Sequence, residues 1–262
     1  MNQDLSPLVA SLMSNISSKN LTTDQSLNIV VENCGDDHYK IKDRVRESRS
    51  LVLKALVDSV RGTKSRYGFG TMFKSDSAKS AIEAILAGIY LYQVKPGLKP
   101  GANIPKAPRI SCVSPDSAQM YKNLDLGYDP WQRCLGGFPE PTSIPAFYAE
   151  GTAYLFLCPA LFALEETINK SHCPTVEDNK FAGDPEIFYK KYQTYTLIYY
   201  FLQFYLGDNA LDRYSDPPEQ LDWNDCVRLG SETFLDSIRN PTSLQLYIAC
   251  KPCLIYRCDS VY

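Results

Sequence analysis

Histidine is scarce in this chain, since 262 residues include only His38 and His172. A catalytic zinc ion on a helix is held by two histidines spaced four residues apart, and a neighbouring glutamate acts on the bound water. Neither histidine has a second one at that spacing. Phenols and amides are poor zinc ligands at neutral pH. The sequence therefore predicts no zinc peptidase activity and no bound metal or other cofactor.

Several other signals are also missing from the sequence. It contains no Gly-x-Ser-x-Gly nucleophile elbow and no glycine-rich phosphate-binding loop after a strand. With a net charge of -3 and no basic cluster, it lacks the positive surface that nucleic acids and anionic membranes require. The longest uncharged stretch, residues 192–206, is shorter than the roughly 20 residues of a membrane span. We expect neither nucleic acid nor membrane as a partner.

The length and composition suit one sizeable globular domain, because 44% of the 262 residues are hydrophobic. Residues 1–37 are rich in Ser, Asn, Asp and Thr, apart from an apolar stretch at 27–31. That segment is typical of a loose arm or of a first strand. We therefore predict an N-terminal arm over residues 1–39 and a single domain over residues 40–262.

Hydrophobic periodicity predicts two helices near the N-terminus and short strands later in the chain. Apolar residues recur at a spacing of three and four over residues 40–60 and again over residues 78–90, after a possible helix start at Ser75. Short apolar runs at 109–113 and 154–157 predict strands, and the segments between them are rich in proline and glycine. This order predicts an α+β fold, mainly helical, with a small sheet and long loops.

The segment 192–206 (YQTYTLIYYFLQFYL) is the strongest candidate for a central core element. It has no charged residue and no polar face, which indicates burial on all sides. Its Tyr, Phe and Ile residues also suit a strand, but its length exceeds that of most strands, and Gly207 stands where a helix C-cap is expected. We predict a buried helix.

The order of motifs around this helix resembles that of the fungal deuterolysin and lysine-specific metallo-endopeptidase group, the aspzincins. The resemblance is concentrated in residues 154–247. It depends on YLFLCPALF at 154–162, Cys173, the frame YYFLQ at 199–203, Asp225-Cys226 and NPTSLQLY at 240–247. In that group a strand ending in Cys-Pro precedes a helix with His-Glu-x-x-His, and an Asp soon afterwards is the third zinc ligand. The resemblance implies a zincin-like fold whose zinc motif has been replaced.

The predicted site residues follow from this frame. Tyr199, Tyr200 and Gln203 occupy the positions of the motif, and Tyr192 and Tyr195 precede Tyr199 on the same helical face. Phenols in an apolar cleft can bind a ligand carbonyl or act as weak acids. Such a column of tyrosines can equally be core packing. The position of the third zinc ligand falls among three aspartates, Asp208, Asp212 and Asp216. Of these we favour Asp212. We also predict that Tyr214 binds the ligand.

Two functions fit these residues. The first is a metal-free, non-peptidase member of the family that binds a small apolar organic ligand or a protein partner in the former active-site cleft. The second is a small-molecule enzyme, such as a cyclase, isomerase or lyase of fungal specialised metabolism, that uses the cleft lined by Tyr and Gln. An active zinc metallopeptidase fits the sequence less well.

Nine cysteines and the sequons at Asn15, Asn20 and Asn169 favour the secretory route, as does the resemblance. Met1 is not followed by an apolar leader core, so a cytoplasmic location stays open. The odd number leaves at least one free thiol. The resemblance implies a Cys158–Cys173 disulfide, and we also consider Cys112 with Cys134, and Cys34 or Cys226 with a cysteine of the tail.

Overall fold

The fold is taken from a computed structural model that describes residues 29–61, 73, 76–91, 108–136, 143–166, 191–212 and 214–249. These residues form a mixed α/β arrangement that is mostly helical and includes a small sheet, which confirms the coarse fold class predicted from the sequence. The described strands are β1 (Val30–Glu32), β2 (Arg109–Cys112), β3 (Ala146–Tyr148) and β4 (Tyr154–Leu157). The described helices are α1 (His38–Arg61), α2 (Asp76–Leu91), α3 (Ser117–Met120), α4 (Pro130–Cys134), α5 (Pro159–Phe162), α6 (Gln193–Leu206), α7 (Trp223–Glu232), α8 (Phe234–Arg239) and α9 (Pro241–Ala249).

The four described strands form one sheet in the order β1-β2-β4-β3. β1, β2 and β4 are parallel, and β3 pairs with β4 in the antiparallel sense. Ile110, Leu155 and Leu157 are buried in the main core, whereas Phe147 and Phe156 belong to a smaller cluster of buried residues. The sheet is therefore covered by apolar contacts on both faces, which explains why β2 and β4 are apolar without regular alternation.

The predicted N-terminal helices are confirmed. α1 begins and ends within two residues of the predicted range 40–60, and α2 extends one residue past the predicted range 78–90. The periodic apolar residues of each helix face the main core, and all of those named here have at most 2% of their surface exposed: Ile41, Val45, Val52, Ala55, Leu56, Ala78, Ile82, Leu86 and Ile89. Periodicity predicts α1 well because one of its faces is buried and the other is polar, whereas residues 85–90 of α2 are all buried.

The central helix is α6, as the sequence predicts. Eleven of its 14 residues are buried, and it lies against α1, α2, α9 and β3. Only Tyr200, Gln203 and Tyr205 are partly exposed. The helix ends at Gly207, whose φ of +52° lies in the region that favours glycine, and the Gly207 N–H donates to the carbonyl of Gln203. Burial on nearly every side explains the lack of charge.

The contact between α2 and α6 depends on Gly88, since a Cβ at this position would overlap the ring of Tyr205. We expect Gly88→Ala to lower the free energy of unfolding by roughly 1–3 kcal/mol, because the overlap outweighs a gain in helix propensity of about 1 kcal/mol. In a Tyr205→Ala background the same substitution should instead stabilise the protein by up to about 1 kcal/mol. Urea unfolding of the four proteins measures both effects, and the same sign in both backgrounds would contradict this explanation.

The last part of the predicted N-terminal arm takes part in the sheet, as the alternative of a first strand predicts. β1 is an edge strand of the sheet, and Ile29 and Val31 are buried in the main core. Residues 29–39 therefore belong to the folded unit, because their apolar side chains pack beside β2. Residues 1–28 of the predicted arm, with the sequons at Asn15 and Asn20, lie outside the described residues, as does Asn169.

The disulfides among the described residues are Cys34–Cys112 and Cys134–Cys158. The predicted pairs Cys158–Cys173, Cys112–Cys134 and Cys34 with a tail cysteine are therefore wrong. Parallel pairing of β1 with β2 places Glu32 opposite Ser111, and this register brings Cys34 beside Cys112.

The second disulfide follows from the path of the chain around β4. Cys158 directly follows β4, and its N–H donates to the carbonyl of Pro145. The N–H of Ile144, the residue before Pro145, donates to the carbonyl of Cys134. Cys226 is free and buried. Cys173 and the tail cysteines lie outside the described residues. The two disulfides are compatible with secretion.

No helix within the described ranges has both the length and the apolar character that a membrane span requires.

Candidate functional site

The candidate site begins on the partly exposed side of α6, where Tyr199 and Gln203 lie one turn apart. The Nε2 of Gln203 donates a hydrogen bond of 2.9 Å to the hydroxyl oxygen of Tyr199. Tyr199 is buried, with 9% of its surface exposed, whereas Gln203 is partly exposed. The helical spacing predicted from the sequence therefore brings these two side chains together.

Glu219 completes this arrangement, although no sequence motif includes it. The hydroxyl of Tyr199 donates to the carboxylate of Glu219, at 2.8 Å from Oε2 and 3.1 Å from Oε1. The hydroxyl of Thr242, in the first turn of α9, donates to Oε1 at 2.9 Å. We call Tyr199, Gln203, Glu219 and Thr242 the Glu219 cluster. Glu219 was missed because it stands alone in a loop, 20 residues from Tyr199.

The environment of Glu219 changes its acidity. Burial raises the pKa of this carboxyl from 4.5 to about 7, because the ionised form loses hydration. The hydrogen bonds from Tyr199 and Thr242 favour the ionised form and lower the pKa, but by less than burial raises it. The negative charge of Asp212 raises it further. Both protonation states of Glu219 are therefore populated near neutral pH.

The residue after Glu219 is held by Asn240, which is fully buried. The Oδ1 of Asn240 accepts from the Gln220 N–H at 3.1 Å, and its Nδ2 donates to the Gln220 carbonyl at 3.0 Å. The same Nδ2 lies 2.8 Å from Ser243 Oγ and 3.3 Å from Cys226 Sγ. Asn240 thus fixes the backbone beside Glu219 at the start of α9.

The other predicted site residues have different positions. Tyr200 is partly exposed, and its ring contacts that of Tyr199 edge-on at 5.2 Å between centroids. Tyr192 and Tyr195 are buried in the main core, where their rings are 6.4 Å apart. Their burial supports the packing interpretation of the upper column, and their role in ligand binding stays a prediction.

The loop residues Asp212 and Tyr214 are both on the surface. The Oδ1 of Asp212 accepts from the Tyr214 N–H at 2.8 Å and from the Ser215 hydroxyl at 2.9 Å, which is the geometry of a loop cap. Tyr214 is 76% exposed. Asp212 acts on Glu219 through its charge, and its backbone carbonyl accepts from the Glu219 N–H at 2.7 Å.

The donor atoms of the Glu219 cluster are poorly suited to zinc. Two neutral donors, a phenol and an amide, occupy the helical frame, and neither matches the nitrogen and sulfur ligands that zinc prefers. Across the described ranges, no group of three or more His, Cys, Asp and Glu side chains is placed to hold a metal ion. His38 begins α1 and contacts the ring of Tyr39, while His172 lies outside the described residues.

The cluster has the elements of a proton-exchanging site. A carboxyl group whose pKa is close to neutral can accept and return a proton, and an adjacent phenol can donate a hydrogen bond to a ligand oxygen. The phenol of Tyr199 lies on the central helix α6, and the carboxyl of Glu219 lies in the loop before α7. The chain matches no protein-family model and no curated protein.

Proposed function

We propose that this protein is a metal-free, non-peptidase relative of the zincin-like aspzincins and that it acts by binding a ligand at the accessible side of α6. The observation that supports this most directly is the chain of hydrogen bonds from Gln203 through Tyr199 to Glu219. Tyr199 and Gln203 occupy the five-residue frame in which the resemblance places a zinc-binding motif. A phenol and an amide there suit recognition of an organic group better than metal catalysis.

The proposed binding surface is the small part of α6 that is accessible to solvent. Within α6 only Tyr200, Gln203 and Tyr205 are partly exposed, and Tyr200 and Gln203 both adjoin Tyr199. An aromatic ring beside an oriented amide suits a small apolar ligand with a carbonyl or amide group, or a protein side chain of the same chemistry. Because Tyr199 holds one N–H of Gln203, the orientation of this amide is set before a ligand binds.

The pKa of Glu219 favours the second function, a small-molecule enzyme that works without a metal. A carboxyl with a pKa of about 7 can remove a proton from carbon and return it elsewhere on the same substrate. Once Glu219 carries that proton, its own O–H can donate to Tyr199, and the Tyr199 proton is then available to stabilise the negative charge that develops on the substrate oxygen. Isomerisation and cyclisation are the reaction classes that fit, since neither needs a co-reactant.

The proposal is tested with ligand-observed NMR on a library of apolar compounds that contain a carbonyl or amide group, together with metal analysis of the untagged protein. We expect Gln203→Ala to weaken binding of the best compounds at least about tenfold, roughly the value of one oriented hydrogen bond. Gln132→Ala, an exposed glutamine on α4, is the matched control and should leave binding unchanged.

Two results would contradict the proposed function. One is stoichiometric zinc with casein hydrolysis that a chelator abolishes, which would restore a peptidase. The other is a set of compounds whose binding is insensitive to Gln203→Ala, which would place the ligand elsewhere. The enzymatic function is tested by incubating the bound compounds with the protein in D2O. Incorporation of deuterium that is lost in Glu219→Gln would show catalysis and not binding alone.

A further inference from the structure

We propose that Glu219 is a pH-operated latch: its carboxyl holds residues 214–222 against α6 and α9, and ionisation of that carboxyl favours release of the segment. We call residues 214–222 the latch segment. The inference depends on the proposed function only for the consequence of release, which is access to Tyr199 and Gln203. The latch itself is a property of the fold and can be tested without a ligand.

The latch segment is attached at Glu219 and Gln220 and, at its end, at Asp222, whose side chain caps α7 by accepting from the Asp225 N–H. The carboxylate of Glu219 accepts from Tyr199 on α6 and from Thr242 on α9, so a single side chain joins the segment to two helices. The next residue, Gln220, is held through its backbone by Asn240. On either side of this pair the described side chains are more open, since Asp216, Pro218 and Leu221 are exposed.

The groups that face Glu219 are neutral or negative. Tyr199 from α6 and Thr242 from α9 donate hydrogen bonds, Asp212 from the preceding loop is a carboxylate, and Cys226 from α7 is a buried thiol. Burial raises the pKa of Cys226 to about 12, so this thiol is neutral at physiological pH. Within the described part of the chain, no ion pair involves Glu219. Among the described groups, an ionised Glu219 is therefore held by hydrogen bonds and has no cationic partner.

The direction in which pH changes the release of the segment follows from the pKa of Glu219 in the attached and released states. In the attached state the pKa of Glu219 is about 7, and in a released, hydrated state it returns toward 4.5. Below the lower value Glu219 is protonated in both states, so attachment is at its strongest. As pH rises between the two values, the released state loses its proton first and gains population. The ratio of attached to released segment falls by up to about 300-fold over this range.

Release would change the candidate site directly. Tyr199 is 9% exposed while its hydroxyl is bonded to Glu219, and removal of Glu219 frees that hydroxyl to bond a ligand. The exposure of Tyr199 therefore depends on pH, because the carboxyl that covers Tyr199 is also the group that ionises. Under the proposed function, ligand access is restricted at acidic pH and favoured from neutral pH upward.

Hydrogen exchange measured by mass spectrometry tests the latch on the full-length protein. The backbone N–H groups of Glu219 and Gln220 report attachment, since they donate to Asp212 and Asn240. From about pH 5 to about pH 8 we expect the protection factor of peptides covering 214–222, corrected for intrinsic exchange, to fall by roughly 100-fold. Glu219→Gln cannot ionise, so its protection should change less than about threefold over the same range.

Two further variants make the test specific. Glu232→Gln, an exposed glutamate at the end of α7, should retain the pH dependence of the unmodified protein. Thr242→Val removes one donor to the Glu219 carboxylate and raises its attached pKa, so the fall in protection should be larger than in the unmodified protein. This variant keeps the proposal testable where Glu219→Gln does not fold.

Three outcomes would overturn the latch. These are protection of 214–222 that does not depend on pH, the same dependence in Glu219→Gln, and a fall shared equally by α1 and β2, which would indicate global unfolding. A failure of this experiment leaves the ligand site on α6 intact. Conversely, a pH-dependent segment with no ligand that depends on Gln203 would overturn the proposed function and leave the latch.

Discussion

Replacement of both Cys34 and Cys112 by serine is expected to lower the free energy of unfolding by roughly 4 kcal/mol. This disulfide joins residues 78 positions apart, so its loss restores a large amount of conformational freedom to the unfolded chain. It also removes the link between β2 and the segment that follows β1. Urea unfolding under non-reducing conditions, monitored by far-ultraviolet circular dichroism, measures the loss.

The second disulfide is a natural control for this explanation. Cys134 and Cys158 are 24 positions apart. The matching double serine variant should therefore lose less free energy of unfolding than the Cys34 and Cys112 variant, with a difference of roughly 1 kcal/mol between the two losses. Both variants remove two sulfur atoms and add two hydroxyl groups, which keeps the chemistry of the comparison constant. A larger loss for the Cys134–Cys158 pair would mean that native packing, not loop closure, determines the order.

Asn240→Ala is expected to destabilise the protein by roughly 3 kcal/mol, which is large for a single polar side chain. Asn240 is fully buried, and its amide satisfies both backbone groups of Gln220 as well as Ser243 and Cys226. Truncation leaves the Gln220 N–H and carbonyl without these partners, and each unsatisfied buried group costs about 1–3 kcal/mol. The free energy of unfolding, again from urea titration, reports the cost.

Two variants show whether hydrogen bonding is the cause. Asn224→Ala changes an exposed asparagine on α7 and should alter stability by less than about 0.5 kcal/mol. Asn240→Asp retains an acceptor for the Gln220 N–H but loses the Nδ2 donor and adds a buried charge, so it should not restore stability. An Asn240→Ala protein as stable as Asn224→Ala would show that solvent replaces these bonds without cost.

Asn240 lies in the same part of the molecule as the proposed ligand site. Asn240 and Glu219 fix neighbouring residues of one loop to α9, and Glu219 also reaches Tyr199 on α6. The candidate site is thus built from two helices and a loop that has no regular structure. Its stability and its ability to bind are expected to change together when this loop is altered.

Most of the regular structure near the candidate site could be predicted from the sequence. The helix over 193–206 is predicted by an uncharged run that ends at Gly207, and the pair Tyr199 and Gln203 follows from its period. The strands β2 and β4 are predicted by short apolar runs between proline-rich loops. Such features depend on local backbone geometry, so neighbouring residues are sufficient to predict them.

The sequence by itself determined the helical frame, the small sheet and the absence of a histidine pair, because spacing and composition are local quantities. Only the tertiary structure decided that Cys34 pairs with Cys112 and Cys134 with Cys158, since pairing depends on strand order and register. It also decided that Glu219 reaches Tyr199 and Thr242, and that burial raises its pKa. Contacts between residues 20 or more positions apart depend on the path of the whole chain, and no local pattern records that path.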